Sequence, residues 1–333
     1  MAQTTPSELA EMSLQQLFEQ NIDEQSTVSQ NASNWSFALQ YKVAKFDGYL
    51  DGHEKLSFDD VLWEGPSEQR TNKNFPVLPT VISQRATLFS VGYQFNNDWR
   101  VHITLPYIYQ STEHISSVEN YDYFVINSSG LGDIAFSASY RLFKYKSDVW
   151  WLTAGVSLPS GSIDEQGDTP RAEGDQVLPY TMQLGSVTYD FPFELSYQSH
   201  SKHDVLVSVS ANIRTGRNNR NYRLGNNYKL SGRYRFATEF FIKPFVGLDL
   251  QHSEVINGRD ESLLVPATFV YPASITNPDL YGGTKLSARV GISWQINKKH
   301  RMSVDFTKPL YQNLHGPQPK ELWHSGIQIS KVL

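Results

Sequence analysis

The sequence predicts an all-β chain: a transmembrane, antiparallel, up-and-down β-barrel of about twelve strands, preceded by a short N-terminal helix. Three observations predict it: strict two-residue alternation in successive segments, short connections alternating with long ones, and aromatic side chains gathered at strand ends. Leu131–Gly161 shows the alternation best. In its first run Ile134, Phe136, Ala138, Tyr140 and Leu142 share one face, while Asp133, Ala135, Ser137, Ser139 and Arg141 share the other. In its second, Trp150, Leu152, Ala154, Val156 and Leu158 oppose Trp151, Thr153, Gly155 and Ser157. Neighbouring residues of a strand point to opposite faces, so a period of two means strand. An apolar face that ends in Tyr and Trp, opposed by a small polar one, suits lipid outside and a polar lumen inside.

Composition agrees. The 333 residues are 39% hydrophobic, with no apolar run approaching the roughly eighteen residues of a membrane helix. The mean hydropathy of −0.43 is compatible with a barrel, because half of each strand is polar. Aromatic content is 13%, which interfacial girdles would use. A net charge of −5 argues against a nucleic-acid partner, and the lack of cysteine suits an envelope protein built without disulfides. Met1 is followed at once by Ala2-Gln3-Thr4 without a basic and apolar leader, so we expect the numbering to start at a mature end.

Taken in order, Thr5–Ile22 is a helix. Ser7 is placed as its N-cap, and Leu9, Met12, Leu14, Leu17 and Phe18 recur at helical spacing. Residues 23–34 form a polar linker, so residues 1–34 make one unit and residues 35–333 the barrel. Strands are expected near Trp35–Ala44, Val81–Phe95, Trp99–Gln110, Leu131–Phe143, Val149–Pro159 and Thr181–Gln198. Six more are expected near Val205–Gly216, Lys229–Phe240, Ile242–Ser253, Thr284–Asn297, Arg301–Tyr311 and Trp323–Leu333. The connections at Asn96–Asp98, Lys144–Asp148, Ser199–Asp204, Phe241 and Asn297–His300 are short. Those at Lys45–Thr80, Ser111–Gly130, Ser160–Tyr180, Arg217–Tyr228, Glu254–Gly283 and Gln312–Leu322 are longer. Short periplasmic turns and long outer loops are the barrel pattern.

Three short motifs carry a family resemblance: Gly130-Leu131-Gly132-Asp133, Leu158-Pro159-Ser160-Gly161, and Lys308-Pro309-Leu310-Tyr311-Gln312 with Gly316-Pro317. With them the chain from Trp35 to Leu333 resembles the "MetA-pathway of phenol degradation" family of outer-membrane barrels. That resemblance implies a transporter-like barrel in the bacterial outer membrane and passage of small molecules, without naming a solute. More distantly the chain is similar to barrels that secrete functional-amyloid subunits, but it lacks their periplasmic coiled coil. Ser7–Phe18 also resembles the N-terminal helix of some TonB-dependent receptors, without the plug domain that follows it there.

The expected lumen set is Lys42, Arg100, His102, Asp133, Arg141, Asp190, Glu194, Arg233, Arg235, Asp249, Arg289 and Asp305, with Arg214 and Arg301 on the same faces. Such a set either pairs across the barrel and stiffens its wall, or lines a path and sets ion preference. Its cations outnumber its acids, which points to a weak anion bias. Arg217, Arg220 and Arg223 recur every third residue in an outer loop. They are either a solvated face or a contact for lipopolysaccharide phosphates, which guanidinium groups suit. The acidic stretch holding Asp164, Glu165, Asp168, Glu173 and Asp175 would chelate a divalent cation, close onto those arginines, or stay solvated. Leu9, Leu14, Leu17 and Phe18 form a stripe that must be buried. The lumen is one site, against Trp151 and Leu206, and a periplasmic or secreted protein partner is the other.

No catalytic, cofactor or metal motif appears. His200 and the His203-Asp204 pair sit in a short turn, and His324 and Ser325 point to opposite strand faces. Neither a zinc-protease helix nor a nucleophile elbow is present. The reading is therefore a non-enzymatic channel for small, aromatic or weakly anionic solutes, gated or plugged by the N-terminal helix. The alternatives are a secretion pore for a polypeptide and a structural barrel with no open pore.

Overall fold

A computed structural model describes residues 34–200, 204–238 and 240–333. The expected helix, with Leu9, Leu14, Leu17 and Phe18, lies outside these residues, and among them the only helical pieces are four single 3-10 turns. The first half of the chain gives β1 (Trp35–Gly52), β2 (Glu54–Leu56), β3 (Val77–Gln94), β4 (Trp99–Ser116), β5 (Tyr123–Leu131), β6 (Ala135–Tyr145), β7 (Asp148–Ser157), β8 (Gln166–Asp168) and β9 (Asp175–Val177). The second half gives β10 (Tyr189–His200), β11 (Asp204–Thr215), β12 (Tyr222–Arg223), β13 (Asn227–Arg235), β14 (Ile242–Ser253), β15 (Asn257–Gly258), β16 (Gly283–Gln295) and β17 (His300–Val332).

The wall is one antiparallel sheet closed on itself. Its ring runs β1-β3-β4-β6-β7-β10-β11-β13-β14-β16-β17 and returns to β1, eleven elements, with β2 and β5 attached. A closed ring of antiparallel neighbours needs an even number of passes, and β17 supplies the missing one. Its Arg301–Leu314 part pairs with β16, and its Leu314–Val332 part pairs with β1. Between them the chain reverses at Gly316, whose φ of 86° favours glycine. Across this hairpin Gln312 Nε2 donates to the Glu321 carbonyl at 2.9 Å, and the Glu321 N–H donates to Gln312 Oε1 at 3.0 Å. Eleven elements thus make twelve passes. The expected long loop Gln312–Leu322 is instead strand and a tight turn, because its polar residues face inward where polarity is tolerated. β5 continues the line of β6 along β4 across a short break at Gly132–Ile134.

Burial alternates as the sequence predicts. Phe136, Tyr140, Leu152, Phe193, Val209 and Val290 are exposed on the outside, while Ser139, Thr153, Glu194, Ser208 and Arg289 are buried inside. Inside the wall hydroxyls pair across strands, Ser90 with Thr104 at 3.0 Å and Ser139 with Thr153 at 2.9 Å. At the short-turn end rings pack in neighbours: Trp35 on Tyr93 at 4.8 Å, Trp99 on Tyr140 at 4.7 Å and Trp150 on Tyr197 at 5.0 Å. On β4, Trp99 and Tyr109 share the outer face; ten residues at about 3.3 Å each, tilted about 40°, separate them by roughly 25 Å along the normal. That is the height of a lipid band between two aromatic girdles.

Strands β1, β3 and β4 are longer than expected, and their excess lies at the long-loop end. β1, β3 and β4 each have 18 residues, where a tilted membrane strand needs about 9–11. They carry a second departure from the sequence reading, which allowed the described barrel no soluble core. The outer loops build one. Ile163, Tyr180, Tyr222, Leu224, Ile256, Leu263 and Tyr281 form one buried cluster. Tyr49, Val61, Phe75 and Leu78 form a second. The expected start of a strand at Thr181 belongs to this cap: Tyr180–Met182 is a 3-10 turn, and the strand begins at Tyr189.

The face assignment is testable. Val209→Arg or Leu152→Arg should lower stability by about 2–4 kcal/mol, read as loss of the heat-modifiable folded band in liposomes. Ser137→Arg on the interior face should cost far less; equal damage at Ser137 would refute the assignment.

Candidate functional site

The site is the barrel interior together with the cap over its long-loop mouth. Strand alternation places Lys42, Arg100, His102, Asp190, Glu194, Arg235, Asp249, Arg289 and Asp305 on the inner face, all of them buried. Arg141 and Arg233 are partly buried. Five further members were not in the expected set: His114, Lys229, Lys285, Glu321 and His324. Lys229 shares a face with Arg233, and Lys285 shares one with Arg289, so the period was enough to find them. Glu321 and His324 lie beside an irregularity in the β1–β17 register, which hides them from simple alternation.

Buried charge is costly unless paired, and the interior is built of pairs. Asp249 accepts from Arg289 Nη2 and from Ser231 Oγ (2.7 Å), with Lys229 Nζ at 4.0 Å. Glu321 lies between Lys285, which donates to it through Nζ, and His324, whose Nδ1 is 2.5 Å from Oε1. Arg214 Nε donates to Asp190 at 2.8 Å, and Thr188 Oγ1 donates to the other carboxylate oxygen at 2.8 Å. Nearer the short turns Arg235 meets Asp204 at 3.0 Å, Arg141 meets Asp98 at 2.6 Å, and the Arg100 guanidinium lies 4.0 Å above the Trp151 ring. Trp151 and Leu206 are both buried.

Asp133 does a different job. Placed in the break between β5 and β6, its carboxylate accepts from the Gly161 N–H (2.7 Å), the Ser186 N–H (2.8 Å) and Ser186 Oγ (2.8 Å). It thereby ties down both ends of the loop that follows β7. Those ends touch: a Cβ on Gly185 would lie 2.5 Å from the Gly161 carbonyl oxygen. From there the loop folds against the wall, where Gln110 Nε2 donates to the Gln183 carbonyl at 3.0 Å.

The cap joins loops that are far apart in sequence. Arg220 Nη2 meets Asp164 at 2.6 Å and Nη1 meets Asp260 at 3.4 Å. The acidic stretch and the arginine series are therefore in contact. Arg217 Nη2 donates to Asn257 Oδ1 at 3.0 Å, and Arg223 Nη1 donates to the Arg214 carbonyl at 3.1 Å. Arg171 and Arg70 fasten the same loop elsewhere, donating to the carbonyls of Ser262 (2.6 Å) and Tyr271 (2.8 Å). Tyr180 packs edge-on against Tyr222 and Tyr281, and its hydroxyl accepts from the Asp260 N–H at 2.9 Å. Burial pushes the Tyr180 and Tyr222 phenols well above their ordinary range, so this core stays uncharged. Among the described residues no His, Asp and Glu group is arranged to hold a metal ion. His324 is committed to Glu321, and His200 and His203 give no described side chain.

No family model matches the chain, and no curated protein matches it. Solved structures do match in fold. An outer-membrane channel from Pseudomonas putida F1 aligns with a TM-score of 0.57 at 13% identity, covering 92% of this chain and 97% of that one. The translocator domain of the autotransporter NalP from Neisseria meningitidis aligns at 0.48 and 8%, covering 98% of each. The TodX monoaromatic hydrocarbon channel aligns at 0.47 and 9%, covering 94% and 93%. The first likeness establishes the fold, a closed antiparallel β-barrel; the other two are too distant to carry an argument.

The cap contacts differ in weight. The Asp164 side chain is 65% exposed and the Asp260 side chain 6%. Asp164→Ala should therefore cost at most about 1 kcal/mol, whereas Asp260→Ala should cost about 1.5–3 kcal/mol. Limited proteolysis of residues 254–282 in outer-membrane vesicles should show faster cleavage in the Asp260 variant alone, with the barrel intact.

Proposed function

We propose that this protein conducts small solutes across the bacterial outer membrane, with a weak preference for anions, and that its N-terminal segment gates the path. The observation that carries the reading is the interior face: a closed barrel lined by ion pairs in which lysine and arginine outnumber aspartate and glutamate. Fixed rings of one sign bias which ions enter, and paired charges leave that excess to act on a passing solute. The selectivity lining is Lys42, Arg100, His102, Asp190, Glu194, Arg233, Arg235, Asp249, Arg289 and Asp305, with Lys229, Lys285 and Glu321 added.

The gate rests on the apolar stripe of Leu9, Leu14, Leu17 and Phe18, which needs a surface to cover it. The described chain begins at the short-turn end with Asn34, and Trp151 and Leu206 offer apolar surface on the inner wall near that end. A linker of a dozen residues spans up to about 40 Å, enough to return into the mouth. Lipopolysaccharide is the expected surrounding lipid. A phosphate contact falls best to Arg217, the most exposed of its series, since Arg220 is held by two carboxylates.

Planar-bilayer recordings test both parts. Full-length protein should show a reversal potential displaced toward the anion in a salt gradient, and deleting residues 1–22 should raise single-channel conductance several-fold. A cation-directed potential would overturn the selectivity; equal conductance of the two forms would overturn the gate.

A further inference from the structure

The lipid face is not uniformly apolar. Among the described residues, the outward positions between the girdles on β4, β6, β7, β10, β11, β13, β14 and β16 hold no Lys, Arg, Asp or Glu. On the remaining arc three cations stand outward: Lys45 on β1, Arg85 on β3 and Lys308 on β17. Alternation fixes their faces, since Phe46 beside Lys45, Gln84 and Ala86 beside Arg85, and Thr307 beside Lys308 are all buried inside. The other outward lysine of these strands, Lys331, lies at the short-turn rim, opposite Phe37. A charge on the lipid face is costly except near the interface, so three on one arc, and none elsewhere, need an explanation.

All three reach the outer edge of the lipid band. Arg85 is opposite Tyr109 of the upper girdle, and its guanidinium lies 5.4 Å from the centre of that ring. Lys45 is opposite Ser83, which places it diagonally from Arg85 at about 7–8 Å. Lys308 starts lower. Its row of cross-strand partners runs through Ala288, Leu248, Gly232, Val207 and Tyr197 to Trp150 in the lower girdle, six strands on. Strands about 4.8 Å apart and tilted about 40° make such a row climb about 3 Å per strand, which sets Lys308 roughly 18 Å above Trp150. The band is about 25 Å tall, and a lysine stem snorkels across most of the remainder.

A ring pair lies between Lys45 and Lys308: Trp323, opposite Lys45, stacks on Phe306 at 6.0 Å. A fourth cation, Lys320, crosses Gly48 above them, where an added Cβ would meet its Cε at 3.1 Å. Among the described residues none of these four cations is in an ion pair. The nearest carboxylates in register are Asp47 and Glu113, both opposite Val81 and higher on the wall. Tyr123 donates to Glu113 at 3.2 Å, and Asp51, higher still, is held by Lys73.

We infer that the outward face of β17, β1 and β3 binds a diphosphorylated glycolipid of the outer leaflet, the lipid A part of lipopolysaccharide. Its phosphates lie on Lys45, Arg85, Lys308 and Lys320, and an acyl chain lies along the Phe306–Trp323 rings. The cations stand at the long-loop end, where the wall leaves the outer leaflet. From the first pass of β17 to β3 they span three strand spacings, about 14 Å, wider than one phosphate bridges. A phospholipid such as phosphatidylglycerol brings one phosphate, and lipid A brings two. Arginine takes phosphate oxygens in pairs and lysine takes them as a point charge. The site is on the outside of the wall, so it is independent of what the lumen conducts, and it is separate from Arg217 in the cap.

Native mass spectrometry of full-length protein, folded in detergent free of lipopolysaccharide, tests the inference with three probes: diphosphoryl lipid A, monophosphoryl lipid A and phosphatidylglycerol. Diphosphoryl lipid A should be retained as one molecule per chain and bind about tenfold more tightly than phosphatidylglycerol, with the monophosphoryl form between them. Lys45→Gln, Arg85→Gln and Lys308→Gln together should abolish that advantage, while Lys331→Gln at the short-turn rim should leave it intact. Lys308→Gln alone should weaken diphosphoryl lipid A several-fold, and the heat-modifiable band reports the folded state of each variant. Equal retention of diphosphoryl lipid A by the triple variant and the parent, or binding of either other probe as tightly, would overturn the inference. So would dimers that form without lipid and are lost in the triple variant, which would assign this face to a second copy of the chain.

Discussion

Everything in this fold follows from the backbone hydrogen bond in hydrocarbon. A strand facing lipid has no water to satisfy an unpaired N–H or carbonyl, so the sheet can have no edge. Closure in turn demands an even number of antiparallel passes, which is why β17 must double back at Gly316 before it reaches β1. Once the ring is closed, side-chain alternation does the rest. One face meets lipid and is apolar; the other is shut away from lipid and takes all but a few of the charges. A slip of one residue would send Arg289, Asp249 and their neighbours outward together, and the register is held by that collective cost.

What the sequence could show followed from this. The lipid face is read from a period of two, and Phe136, Leu152, Phe193 and Val290 were legible because each stands beside a small or charged neighbour. The short turns were legible from Asn96–Asp98 and Asn297–His300. The cap was not. Ile163 and Tyr222 stand singly in polar loops and Leu263 and Tyr281 in short apolar pieces, with no periodicity to mark them, and only the closed ring brings them together. Strand ends were misplaced for a related reason: beyond the membrane, β1 and β4 no longer need an apolar outer face, so the alternation that marks a strand fades while the hydrogen-bonded ladder continues. Lys229 and Lys285 were within reach of the same period that found Arg233 and Arg289. Glu321 was not, because the irregular register at Lys45 and Phe46 displaces it from simple alternation.

The interior pairs and the cap pairs are built alike but have different consequences. Inside, Asp249 and Glu321 each have two basic neighbours, so losing one partner leaves the carboxylate still attended. In the cap, Arg220 is the shared partner of Asp164 and Asp260, and four arginines from three loops, Arg70, Arg171, Arg217 and Arg220, hold residues 254–282. The wall tolerates local loss; the cap concentrates its attachments in a few guanidinium groups.

The shared core of the cap restricts how its surface can change. In a barrel whose outer loops wave independently, each loop can be rewritten without reference to the others, and exposed epitopes drift freely. Here Tyr180, Tyr222 and Tyr281 come from three loops and pack on one another, and residues in such contact are coupled by about 0.5–3 kcal/mol. A substitution in one loop must be matched in two more. The face this protein turns to the outside world is thereby held to slow, concerted change, and an antibody or phage that learns it should find the same surface for a long time.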